Sequence, residues 1–143
     1  FSAVSGTGKS THTGLWRQYL GDEVTMINDD RPAIRFDGGQ PILYGTPWSG
    51  KSNLNHNIHA PLTAVVFLEQ APENRLERLS PADAYFGMAT GVVRPLFDEA
   101  LGTQMLDAVE RVLNTVPMYR LSCTISREAV QLVYQEILGG ILP

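Results

Sequence analysis

Apolar and polar positions along this chain switch between a two-residue and a helical period, and the switches mark out its elements. Residues 1–4 read as the stub of a strand, and residues 10–20 as a helix stopped by Gly21. Residues 24–28 form a short apolar run, expected to be a strand that delivers Asp29 and Asp30 at its C-terminal end. Two extended runs, residues 33–36 and 41–44, flank Asp37-Gly38-Gly39-Gln40 and predict a β-hairpin. Residues 45–61 are polar and rich in asparagine and are expected to be a loop. Residues 62–68 (Leu-Thr-Ala-Val-Val-Phe-Leu) are short, apolar and β-branched, which predicts a central strand covered on both faces. Ser80-Pro81-Ala82-Asp83 reads as a helix start, with Ser80 the cap and Asp83 its return partner. Met105, Leu106, Val109, Val112, Leu113 and Val116 recur at helical spacing and predict an amphipathic helix packed on a sheet. Tyr119, Leu121, Cys123 and Ile125 alternate with polar residues as in a half-buried strand. Ser126 then opens a last helix whose apolar face carries Val130, Val133 and Ile137. The order of elements predicts an α/β fold, a mixed β-sheet flanked by helices.

The length of 143 residues and a hydrophobic fraction of 43% suit one globular domain, and no linker or repeat divides it. A net charge of −4 without any Lys or Arg run argues against a nucleic-acid partner. No apolar run reaches the length of a membrane span. The single cysteine, Cys123, rules out an intrachain disulfide, fits a reducing cytoplasmic setting, and reads as an inert core residue. Phe1 stands directly before a glycine-rich loop, where a feeding strand belongs, so the sequence is expected to begin inside a longer chain and to lack its first strand or strands.

Two stretches compete for the phosphate-loop pattern G-x-x-x-x-G-K-[ST]. Gly45-Thr46-Pro47-Trp48-Ser49-Gly50-Lys51-Ser52 matches every fixed position, whereas Ala3-Val4-Ser5-Gly6-Thr7-Gly8-Lys9-Ser10 has Ala3 in place of the first glycine. The chemistry needs a helix starting at the lysine, so that its dipole and free N–H groups face the phosphates. The residues after Lys9 can form that helix. Those after Lys51 are asparagine-rich and run into Pro61, and Pro47 removes an N–H from the cradle. The first loop, Ser5, Gly6, Thr7, Gly8, Lys9, Ser10 and Thr11, is therefore the expected nucleotide site, and the second is expected near the substrate.

Asp29 and Asp30 follow at the end of the expected strand. Active sites of open α/β sheets lie at such strand ends. One carboxylate can hold magnesium and the other can accept a proton from an attacking hydroxyl. Asn-Asp-Asp-Arg-Pro is also good turn chemistry without any function.

The pairing of Ser5-Gly6-Thr7-Gly8-Lys9-Ser10 with Asn28-Asp29-Asp30, 20 positions on from the lysine, resembles the HPr kinase and phosphoenolpyruvate carboxykinase superfamily. Small HPr-kinase-like bacterial proteins, several found beside peptide-modification genes, share the segment at residues 45–51 and the Ala-Pro-Leu and Phe-Leu-Glu segments at 60–62 and 67–69. The resemblance implies a kinase core with ATP and Mg²⁺. Lys9 would bind phosphates, Ser10 and Asp30 the metal, and Asp29 would be the general base. Thr11 stands where HPr kinases carry an acidic residue, and no segment resembles the HPr-docking signature. A carboxykinase needs a longer chain, so decarboxylation is not expected.

The resulting expectation is an ATP-dependent phosphotransferase acting on a Ser/Thr-type hydroxyl of a protein, peptide or small molecule. A non-catalytic ATP-binding regulator or assembly factor, or a simple hydrolase, stays open, as does a homo-oligomer. Lys51 and Arg94 are further candidates to steady a transferring phosphoryl group, with Arg31 beside the aspartates. Surface ion pairs are the ordinary alternative for these side chains. Trp48 is either a substrate wall or loop packing. His12 could touch a phosphate or a metal, or be a solvated helix histidine. His56 and His59 lack a third ligand for zinc.

Overall fold

The computed structural model describes residues 1–142. One strand, β4 (Val65–Gln70), sends Val65 and Phe67 to one face and Val66 and Leu68 to the other, as the two-residue period of a strand requires. Both faces are covered. On the first lie α2 (Pro81–Gly91) and α3 (Glu99–Leu113), whose Ala84, Met88, Val109 and Val112 join Val65 in one core cluster. On the second lie α1 (Lys9–Leu20) and α4 (Arg127–Leu138), where Val133 and Trp16 pack with Val66, Leu68 and Leu121.

β4 pairs in parallel with β6 (Met118–Cys123), in register from Val65 opposite Met118 to Gln70 opposite Cys123. β5 (Arg75–Arg78) runs antiparallel on the other side of β6. Ser2 makes a single parallel bridge to Phe67, with its N–H on Val66 O at 2.8 Å and its C=O accepting from Leu68 N at 2.9 Å. The expected strand over 62–68 thus starts three residues later. β6 is the middle strand of the three, and β4 is bounded on its other side only by the Ser2 bridge. β5 carried no apolar signal because this charged edge strand, Arg-Leu-Glu-Arg, leaves both arginines exposed and only half-buries Leu76 and Glu77. Its charges pair with one another and with β6: Arg75 Nη2 to Glu77 at 3.1 Å and Arg120 Nη1 to Glu77 at 3.1 Å.

The hairpin forms as expected, β1 (Ala33–Asp37) with β2 (Gln40–Tyr44), and β3 (His59–Pro61) adds a third antiparallel strand. This small sheet is anchored by Phe36, which packs on the α3 side of the core beneath the Arg111 guanidinium, 3.8 Å from the ring centroid. The described residues therefore form a mixed α/β fold with two three-stranded sheets and four α-helices.

Three helix starts match the pattern of capping residues. The Ser80, Asp98 and Ser126 side chains accept from Asp83 N, Leu101 N and Ala129 N. Asp83 returns to the Ser80 hydroxyl at 2.7 Å. Ile125 falls outside β6 and is exposed, so the alternation in this strand ends at Cys123. No helix among the described residues is long and apolar enough to cross a membrane.

Candidate functional site

The first glycine loop leaves the Ser2 bridge and enters α1. Gly6 and Gly8 have φ of 87° and 107°, which side chains on Cβ disfavour. Gly8 is the N-cap residue, and α1 begins at Lys9, one residue earlier than expected. Unlike α2, α3 and α4, this helix has no side-chain hydrogen bond on its N-terminus and no acidic residue in its first turn. Its first N–H groups carry a positive partial charge that no side chain of the helix start offsets. Gln70, at the end of β4, steadies the loop by donating from Nε2 to Thr7 O at 3.1 Å. Ser10 and Thr11 lie exposed in the first turn.

Lys9 Nζ donates to the backbone carbonyl of Asp29 at 2.6 Å, so the two residues singled out from the sequence meet. They do so without the expected strand at 24–28. That segment is irregular and pairs with residues 54–56 instead. Asp29 N donates to Leu54 O at 3.0 Å, His56 N to Ile27 O at 3.0 Å, and Asn28 forms an isolated bridge with Asn55. The segment expected to be all loop therefore supplies both this strip and β3.

Sequence reasoning missed the organising part played by Asn28. Its Oδ1 accepts from Asp30 N at 2.8 Å and Arg31 N at 2.7 Å, and its Nδ2 donates to Thr46 O at 3.0 Å and Trp48 O at 3.1 Å. One side chain thus shapes the aspartate turn and ties the second glycine loop to it. The signal was the Asn at the head of Asn-Asp-Asp-Arg-Pro, a strong turn former.

The second loop folds over the aspartates. Gly50 N donates to Asp29 Oδ1 at 2.6 Å, and a Cβ at Gly50 would lie 3.2 Å from Asp30 Cβ and 3.3 Å from Asp29 Oδ2. No helix follows Lys51, only a turn in which Asn53 N donates to Gly50 O at 3.1 Å. Lys51 is exposed in this loop, and Trp48 is 66% exposed, so it does not pack the loop down. Asp30 points outward in an ion pair with Arg31 at 3.5 Å, both side chains well exposed, which is worth little stability.

No family model matches the chain, and no curated protein or solved structure matches it. The geometry therefore carries the functional reading.

Arg94 is not brought to Lys9 and Asp29 by any hydrogen bond or ion pair. Its Nε and Nη2 donate to Ala89 O at 3.1 and 2.8 Å near the end of α2, and it lines a different cleft, between α2 and α3. His56 Nδ1 lies 2.7 Å from Met26 O, and His59 stacks on Tyr44 at 5.0 Å. Among the described residues no three His, Cys, Asp or Glu side chains converge on a common point.

His12 is buried, at 4% exposure, so it is not a solvated helix histidine. Trp16 Nε1 donates to its Nε2 at 3.0 Å, which puts the proton of the neutral ring on Nδ1. Nδ1 has no partner. An orphaned buried donor costs about 1–3 kcal/mol. Burial is the main cause that pushes the His12 pKa down from 6.5 to about 4. The unfolded chain then takes up this proton first as pH falls, so stability is lost between pH 6.5 and about 4 and His12 adds no further loss below that. Denaturant titrations at about pH 7 and pH 4.5 are expected to differ by about 2 kcal/mol from this group. His12→Gln should remove that increment, and an unchanged increment in the variant would exclude His12 as its source.

Proposed function

We propose that this chain is an ATP-dependent phosphotransferase, an HPr-kinase-like P-loop kinase core that transfers the γ-phosphate to a Ser/Thr-type hydroxyl. The observation that supports it best is the meeting of Lys9 and Asp29, 2.6 Å apart through the Asp29 carbonyl, at the one α-helix whose N-terminus lacks a side-chain cap. A glycine loop entering a helix N-terminus is suited to a polyphosphate, and a carboxylate next to it is suited to a proton transfer.

On this reading the N–H groups of the loop and Lys9 hold the phosphates. Ser10 would hold Mg²⁺ together with Asp30 once the exposed Asp30 side chain turns from Arg31, and the ion would supply charge neutralisation. Asp29 Oδ1 is engaged by Gly50 N–H, which leaves Oδ2 to take the proton of the acceptor hydroxyl. The hydroxyl oxygen then bonds to the γ-phosphorus as its bond to the bridging oxygen breaks. Lys51, exposed in the second loop, would steady the transferring group. The acceptor is a protein, peptide or small molecule bearing a hydroxyl.

The test is transfer of label from γ-labelled ATP to an acceptor pool, together with equilibrium binding of ATP. Lys9→Ala should weaken ATP binding by about tenfold or more, because it removes the only side-chain cation of the loop. Equal binding by the variant would sink the assignment of the loop. Tight binding without transfer would favour a regulator, and phosphate release without an acceptor would favour a hydrolase.

A further inference from the structure

The cleft between α2 and α3 measures about 650 Å³. The two helices give Ala84, Met88, Val109 and Val112 to the core, and other positions of both line this cleft. On α2 these include Phe86, and on α3 they include Glu99, Gly102 and Leu106, which share one side of the helix by their spacing. The linker between the helices folds as a turn, with Leu96 N donating to Arg94 O at 3.0 Å and Asp98 N to Pro95 O at 3.3 Å. That turn leaves Leu96 91% and Phe97 88% exposed, both lining the cleft. Phe86 is 68% exposed and Leu106 is exposed as well. None of Lys9, Ser10, Asp29, Asp30 and Lys51 lines it, so it is separate from the proposed kinase site.

Single exposed apolar side chains are ordinary, but a contiguous group of them marks a surface that meets something. With an aromatic side chain worth about 150–250 Å², Phe86, Leu96, Phe97 and Leu106 expose on the order of 500 Å² of apolar surface. An interface of about 800 Å² per partner that is about 65% apolar, as in homodimers, needs about that amount.

The charges decide between occupants. Arg94, Asp98 and Glu99 line the same cleft, and among the described residues none of the three is in an ion pair. A basic partner would press on Arg94, and an acidic or phosphate-bearing one would press on Asp98 and Glu99. A surface that carries both signs is complementary to its own copy across a two-fold axis. Gly102 leaves room for an incoming side chain, since a Cβ there would meet nothing within 4 Å.

We propose that the α2–α3 face joins two copies of this chain about a two-fold axis. Leu96 and Phe97 of each copy enter the cleft of the other, and Arg94 of each pairs with Glu99 of the other.

Sedimentation equilibrium of the native chain tests this. It is expected to show a dimer that dissociates at micromolar concentration or below. Phe97→Glu should weaken the dimer at least a hundredfold, and thermal unfolding should show that this exposed position leaves the fold intact. Arg94→Glu and Glu99→Arg should each weaken it at least tenfold, and the double variant should return to within about threefold of the native affinity. A native chain that stays monomeric at about 100 μM would overturn the proposal. Binding of an apolar dye by that monomer, lost in Phe97→Glu, would assign the face to a different protein. A dimer that Phe97→Glu leaves unchanged would place the contact elsewhere and equally overturn it.

Discussion

Asp29→Asn is expected to lower phosphoryl transfer by about 10²- to 10⁴-fold while leaving ATP affinity within a few-fold of the native value. The substitution isolates the proton-accepting role. The Asn side chain keeps an Oδ1 that accepts from Gly50 N–H, so the contact that closes the second loop over the site survives. The backbone carbonyl that accepts from Lys9 Nζ is untouched. Only the basic oxygen is lost. Initial rates with γ-labelled ATP, binding isotherms and thermal unfolding of both proteins read the three quantities separately. Undiminished transfer by the variant would eliminate Asp29 as the base.

Gly45→Ala is expected to destabilise the protein by about 1–3 kcal/mol and to cut transfer by more than tenfold. A Cβ at Gly45 would stand 1.8 Å from His56 O, 3.0 Å from His56 C and 3.1 Å from Ile27 O, all backbone atoms that no side-chain rotation can move aside. Gly45 N also donates to Ile58 O at 2.9 Å, so the residue cannot slide away freely. The two strips that a methyl would push apart are those that hold Asp29 in place, through His56 N to Ile27 O and Asp29 N to Leu54 O. The damage reaches the aspartate but not the first loop, so ATP binding should persist. Gly14→Ala is the matching control. Its Cβ meets nothing within 4 Å inside α1, and the change should stabilise by about 0.5–1 kcal/mol. Chemical denaturation and transfer rates check both. A Gly45→Ala protein as stable and active as the native one would show that this packing does not hold the site.

Gly45 also shows what a pattern leaves out. It is the first glycine of the stretch that matches every fixed position of the phosphate-loop pattern. In the fold it sits too close to the backbone of His56 and Ile27 for a Cβ, and no helix follows Lys51. The stretch that breaks the pattern at Ala3 is the one that enters a helix. The missed features share a cause as well. β5 is charged along its edge, and residues 24–28 have the apolar look of a strand but hydrogen-bond to a loop strip. In both, pairing partners distant in sequence settled the backbone, and local composition carried little of that information.

What the sequence by itself determined is local. The capped starts of α2 and α4, the hairpin, the apolar faces of α3 and α4, and the glycines that let the first loop turn into α1 all follow from residues within a few positions of one another, where propensity and periodicity act. Only the tertiary structure decided the rest. It put Lys9 on the Asp29 carbonyl and laid Gly50 across the Asp29 carboxylate. It made Asn28 the tie between two loops, buried His12 with a spare donor, and sent the Arg94 guanidinium to Ala89. Each of these depends on backbone groups brought together from far along the chain, and their partners are fixed by packing and by the need to satisfy buried polar groups, not by neighbours in sequence.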